Sequence, residues 1–204
     1  MLAKSASSLD LLSGGRVELG MGAGAFWDAI AGMGGPRRTP AESVDALEEA
    51  IAILRAFWSA QGPVSFGGKH YRLEEVKPGP PPAHRIGIWL GAYRPRMLRL
   101  TGRLADGWLP SLGGSLLSPE EAPERQAVID EAARRAGRDP GEIERAVNVG
   151  RLDGDPGGWA DQLARVATEL GFSTLVVGVP DDDPTAFIRR LGEDVAPRLR
   201  ELVG

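Results

Sequence analysis

Two glycine-containing turns have the residue types and spacing for chemistry. In one, Gly91-Ala92-Tyr93-Arg94 follows the apolar residues Ile86, Ile88, Trp89 and Leu90 and precedes Pro95. A short, nearly continuous apolar run reads as a strand buried on both faces. Pro95 suits the first position of a helix, where its missing N–H costs nothing. A glycine turn that feeds a helix N-terminus offers backbone N–H groups and the positive end of the helix dipole, which suits a phosphate. Arg94 and Arg96 add charge there. The plain alternative is a strand–helix connection with surface arginines. Trp108 lies just inside the next strand and fits either a core or a pocket wall.

The other turn, Gly20-Met21-Gly22-Ala23-Gly24-Ala25, formally matches the dinucleotide pattern G-x-G-x-x-A. That pattern needs a helix to start at once and an acidic residue at the end of the next strand. Here a glycine-rich loop follows, and Glu42 and Asp45 fall inside a capped helix. A glycine-rich strand end lining a cavity is the better reading, with Gly22 and Gly24 on its wall. His70 and His84 are the only histidines and read as surface residues; no metal set can be built from them. Neither G-x-S-x-G nor H-E-x-x-H occurs. The run Asp181-Asp182-Asp183 reads as a solvated turn with Asp183 capping a helix. No catalytic acid or base stands out.

The totals narrow the classes. The chain has 204 residues, 42% hydrophobic and 25% charged, enough for one globular domain, 1–204. A net charge of −4 does not suggest a nucleic-acid partner. The absence of cysteine excludes disulfides and thiolate chemistry and fits a cytoplasmic protein. No apolar run approaches the ~20 residues of a membrane span, so no membrane partner is expected.

The elements that must position these turns are well punctuated. Leu2–Leu12 reads as a helix with Leu2, Leu9 and Leu12 as its apolar positions. It has no N-cap and ends at Gly14-Gly15. A strand at 16–20 and a loop at 25–38 follow. Thr39-Pro40-Ala41-Glu42 is a capping box opening a helix with Val44, Leu47, Ile51, Leu54 and Trp58 inward. Residues 63–66 and 69–73 read as a hairpin about Gly67-Gly68. Lys77–Ala83 is a proline-rich connector. Pro95 opens a helix with Met97, Leu98, Thr101 and Leu104 inward, and 107–109 is a strand. Ser118-Pro119-Glu120-Glu121 is a second capping box; Asp139, Asp155 and Asp183, each followed by proline, cap later turns or helices. Strands are expected at 146–150 and 174–179, and Pro197 should break or kink the last helix. Strands alternate with helices, so the class is α/β with a parallel sheet.

In combination and order, several motifs resemble the luciferase-like monooxygenases, the bacterial luciferase superfamily, whose members use FMN or the deazaflavin F420. They are Leu9-Asp10-Leu11-Leu12-Ser13-Gly14-Gly15-Arg16 running into Leu19–Gly24, Glu48–Trp58 with the hairpin through Tyr71, Ile88-Trp89-Leu90-Gly91, and Ala105-Asp106-Gly107-Trp108. The resemblance covers nearly the whole chain and leans toward the F420-using branch. It implies a TIM barrel with cofactor and small-molecule substrate at the C-terminal strand ends. The family's phosphate loop maps onto Gly91, Ala92, Tyr93 and Arg94, with Arg96 beside it; Tyr93 and Arg94 depart from its usual glycine and serine. Gly22, Gly24 and Trp108 would line the ring or substrate cavity.

A TIM barrel has eight βα units and about 250 residues. This chain shows five, matching the family's fourth to eighth strands, so the resemblance implies an incomplete, N-terminally truncated barrel. Five strands leave two open edges, for which a homodimer covering the open half is expected. Two readings of function follow: a flavin- or F420-dependent oxidoreductase, catalytically impaired in this form, or a non-catalytic half-barrel that binds flavin or only dimerises.

Overall fold

The structure is a computed structural model and describes every residue except Ser115, Asp153 and Asp181. It contains two compact units, Met1–Leu90 and Gly91–Gly204.

The first unit runs α1 (Leu2–Ser13), β1 (Leu19–Met21), α2 (Trp27–Gly32), α3 (Pro40–Ser59), β2 (Val64–Gly67), β3 (Arg72–Val76) and β4 (Ile88–Leu90). β1 and β4 pair in parallel, Leu19 opposite Ile88 and Met21 opposite Leu90. β2 and β3 form an antiparallel hairpin. The Thr39 capping box is present in full: the Thr39 hydroxyl accepts from the Glu42 N–H, and the Glu42 carboxylate accepts from the Thr39 N–H.

A buried carboxylate ties this unit together. Asp10, at the end of α1, has no exposed surface. Its Oδ1 accepts from the Val17 N–H at 3.2 Å and its Oδ2 from the His84 N–H at 3.0 Å. His84 Nδ1 lies 2.8 Å from Oδ1, and Nε2 lies 3.5 Å from Glu18 Oε1. Burial works to raise the Asp10 pKa, but the His84 N–H, the His84 ring and the Val17 N–H together hold it below the ordinary carboxylate value. The Asp10 carboxylate raises the His84 pKa, against burial, with help from Glu18.

A second carboxylate shapes the hairpin. Glu49 of α3 accepts the N–H groups of Lys69, His70 and Tyr71 at 2.7, 3.0 and 3.0 Å. Those N–H groups cannot serve a strand, so the second strand starts at Arg72 rather than at residue 69 as the sequence pattern predicts.

The second unit runs α4 (Pro95–Leu104), β5 (Gly107–Trp108), α5 (Ala122–Arg135), β6 (Glu144–Gly150), α6 (Trp159–Leu170), β7 (Thr174–Val177), α7 (Pro184–Arg190) and α8 (Ala196–Val203). β5 pairs with β6 and β6 with β7, both in parallel. α5 and α6 each lie between two parallel strands, as a crossover requires, and α7 and α8 follow the last strand. α4 and α5 approach closely at Gly102, where a Cβ would sit 2.9 Å from the Ala132 Cβ. The Ser118 capping box and the Asp139, Asp155 and Asp183 caps all form. A π-helical turn at Leu191–Val195 separates α7 from α8 ahead of Pro197. With five parallel-pairing strands, two in one unit and three in the other, and one small hairpin, the chain is α/β and has the make-up of an incomplete TIM barrel.

Four expectations need correction. Leu2, Leu9 and Leu12 are exposed; the buried face of α1 is Ala3, Ala6, Ser7 and Asp10. Small residues let α1 lie close to α3, where the Trp58 indole donates to the Ala3 carbonyl at 3.1 Å. In α3, Phe57 is buried and Trp58 only half-buried. The 25–38 loop contains α2, which lacks a side-chain cap and is only 6 residues long, too short to show periodicity. His70 and His84 are half-buried rather than on the surface, because Glu49 and Asp10 draw them in.

Asp10 and His84 give the first unit a pH window. The lowered Asp10 pKa contributes stability above the ordinary carboxylate range, lost as pH falls through its folded value. The raised His84 pKa contributes stability below the ordinary 6.5, lost as pH rises through its folded value. The urea midpoint should therefore fall between about pH 5.5 and about pH 8.5. In His84→Gln that fall should disappear; an unchanged slope in the variant would refute the assignment.

Candidate active site

The 91–96 turn is built as a backbone platform. β4 ends at Leu90, four residues turn, and α4 starts at Pro95 with Arg94 as its N-cap in extended conformation. Ala92 has no exposed surface, main chain included, and packs the turn into the unit. The Ala92 carbonyl accepts from the Trp108 indole at 2.9 Å. Trp108 is itself fully buried and packs on Phe172, ring centroids 5.6 Å apart. The Tyr93 hydroxyl accepts from the Ser111 N–H at 2.9 Å, and the Arg125 guanidinium lies over its ring at 6.0 Å. Two side chains thus tie the turn to β5 and the residues that follow it. Among the described residues, the exposed Arg94 guanidinium makes no ion pair or hydrogen bond. Arg96 is exposed on α4.

This arrangement fits a phosphoryl group. α4 has 10 residues, long enough for a helix dipole. No side chain caps its first turn, and Arg94 supplies an uncommitted cation. Tyr93 holds the turn in place by its hydroxyl, a role the residue type alone does not announce. The turn and Trp108 come together. Trp108 supports the Ala92 carbonyl from beneath.

Gly22 and Gly24 lie in the first unit, beyond β1. They line a cavity of about 240 Å³ with Trp27, Ile30 and the face of α3 that carries Leu47. Gly24 has φ +92°, and a Cβ there would meet Ile30 at 3.3 Å and Trp27 at 3.4 Å. Glycine is required both for the backbone and for the close cover of α2. Nothing lies within 4 Å of a Cβ built on Gly22. Among the described residues no group of three His, Cys, Asp or Glu is placed to hold a metal ion, and no helix is long and apolar enough to cross a membrane.

The βα order has the make-up of an incomplete TIM barrel, and comparison with known proteins gives the family. The luciferase-like monooxygenase family model matches residues 1–152. This chain belongs to that family. It is 26% identical to the F420-dependent glucose-6-phosphate dehydrogenase of Nakamurella multipartita, over all of this chain and 74% of the relative. It is 34% identical to the phthiodiolone/phenolphthiodiolone dimycocerosates ketoreductase of Mycobacterium tuberculosis, over 88% of this chain and 45% of that protein. Among solved structures, an F420-dependent secondary alcohol dehydrogenase bound to an F420-acetone adduct superposes with a TM-score of 0.79 at 19% identity, covering 98% of this chain and 74% of that one. The F420-dependent tetrahydromethanopterin reductase of Methanopyrus kandleri gives a TM-score of 0.75 at 20% identity, over 97% of this chain and 78% of that one. These structural likenesses show the incomplete barrel fold.

The support under the turn is testable. Trp108→Phe keeps the ring but leaves the buried Ala92 carbonyl without its donor. We expect a loss of about 1–3 kcal/mol in urea unfolding, with faster amide exchange at Gly91–Arg94 than at β6. Wild-type exchange at the turn would show that Trp108 is packing alone.

Proposed function

We propose that this chain is an oxidoreductase of the luciferase-like group that binds F420 or FMN through the 91–96 turn. The observation that carries the reading is the turn itself: an open helix start, an unpaired Arg94 beside it, and side chains that hold the turn rigid from below. Rigid donors cost little to reorganise when an anion arrives. The family membership and the cofactor named in its relatives support the same reading. In it, the exposed part of the Gly91–Arg94 turn receives the phosphate, Arg94 and Arg96 neutralise it, and Gly22 and Gly24 border the substrate.

The bound ring would supply the redox chemistry, hydride transfer or, with FMN, oxygen activation. The protein's part is to anchor, orient and dry that ring. An incomplete barrel dries it poorly, so we expect binding to be better preserved than turnover. A homodimer that covers the open half of the barrel would dry it further.

Titration with FMN and with F420, followed by cofactor fluorescence, tests the proposal. One of the two should saturate. Arg94→Ala should weaken it by about tenfold, the scale of one charge-assisted contact, without lowering the melting temperature. Absence of binding to both cofactors would sink the reading.

A further inference from the structure

The cavity beyond β1 contains a recognition feature that the cofactor turn does not use. Its walls are apolar: Trp27, Ile30, Ala46, Leu47 and Ala50. No acidic residue lines it. Three polar side chains do, Arg38, Ser43 and Tyr71. Arg38 is half-buried, with its guanidinium carbon 5.5 Å from the centre of the Tyr71 ring. Among the described residues it has no carboxylate partner. Its neighbour differs: Arg37 pairs with Asp28 at 2.7 Å. Ser43, 4% exposed, buries a hydroxyl that has no hydrogen-bond partner.

Each feature is costly alone and together they have a direction. A buried hydroxyl without a partner is rare in native interiors and calls for an explanation. A guanidinium held over an aromatic face, without a carboxylate, is oriented and partly desolvated, and so poised for an anion. The platform under it is fixed, because the Tyr71 N–H is one of the three that Glu49 holds. The apolar walls suit a compact carbon skeleton, and at about 240 Å³ the space admits one small ring rather than a cofactor.

We propose that this cavity binds a small organic anion, its apolar body against Trp27 and Leu47, its charged group on Arg38, and Ser43 supplying a hydrogen bond. This names the substrate class for the Gly22–Gly24 side of the site and rests on the reading that this strand end faces substrate. The test needs no cofactor, so it fails or succeeds independently of F420 and FMN binding.

The full chain would be titrated with benzoate, phenyl phosphate and neutral benzamide, followed by ligand-observed NMR. The two anions separate a carboxylate from a phosphate preference. At least one should saturate, and benzamide should bind about tenfold more weakly. Arg38→Gln should erase the preference for the anion, Arg38→Lys should restore part of it, and Ser43→Ala should weaken binding about threefold while the melt stays native-like. Anions that bind no better than benzamide, or as well to Arg38→Gln as to wild type, would overturn the proposal. So would the absence of saturable binding by either anion.

Discussion

The carboxylate of Asp10 is the constraint on which the first unit depends. It sits at the end of α1 with no exposed surface, and accepts the N–H groups of Val17 and His84. Those two residues lie just before β1 and just before β4. One charge therefore sets where two parallel strands begin, and the Leu19 N–H bond to the Gly87 carbonyl at 2.9 Å continues the register. A buried charge is tolerable only when paired and hydrogen-bonded. Val17, His84 and the His84 ring meet that condition together, so none of them can be lost without leaving Asp10 in debt.

The strand starts are fixed by side chains, and the strand ends are left to backbone. β1 runs into Gly22–Gly24 and β4 into the 91–94 turn. In a (β/α) barrel this is the division between the face that holds the fold and the face that binds ligands. Side chains also fasten turns within each unit. Trp108 holds the Ala92 carbonyl, Tyr93 holds the Ser111 N–H, and Glu49 gathers three N–H groups at the hairpin tip. A single such bond contributes modestly, but leaving its buried partner unmade costs more than the bond itself is worth. That asymmetry keeps the turns in one conformation.

Local chemistry was legible in the chain and tertiary choice was not. The boxes at Thr39 and Ser118 and the caps at Asp139, Asp155 and Asp183 are settled within three residues of the capping group, so reading them needs no knowledge of the fold. Pro95 and Gly14 likewise mark a helix start and end by backbone geometry alone. The leucines of α1 mislead because hydrophobicity does not say which face meets α3; the small face does. The hairpin register misleads because Glu49 lies 20 residues away from Lys69. At the site, the glycine turn announces itself, whereas the fastening of Tyr93 to Ser111 and of Trp108 to Ala92 depends on contacts 18 and 16 residues apart. The unpaired Arg38 is visible only once Arg37 is seen to take Asp28.

The central claim is that the 91–96 turn grips a phosphate. It is tested most directly by comparing each cofactor with its phosphate-free core: FMN against riboflavin, and F420 against its deazariboflavin core. The account predicts that the phosphate-bearing form of the preferred cofactor binds at least about tenfold more tightly, the scale of one charge-assisted contact, and that the difference shrinks as salt is raised. Equal affinity for the forms with and without phosphate would contradict it.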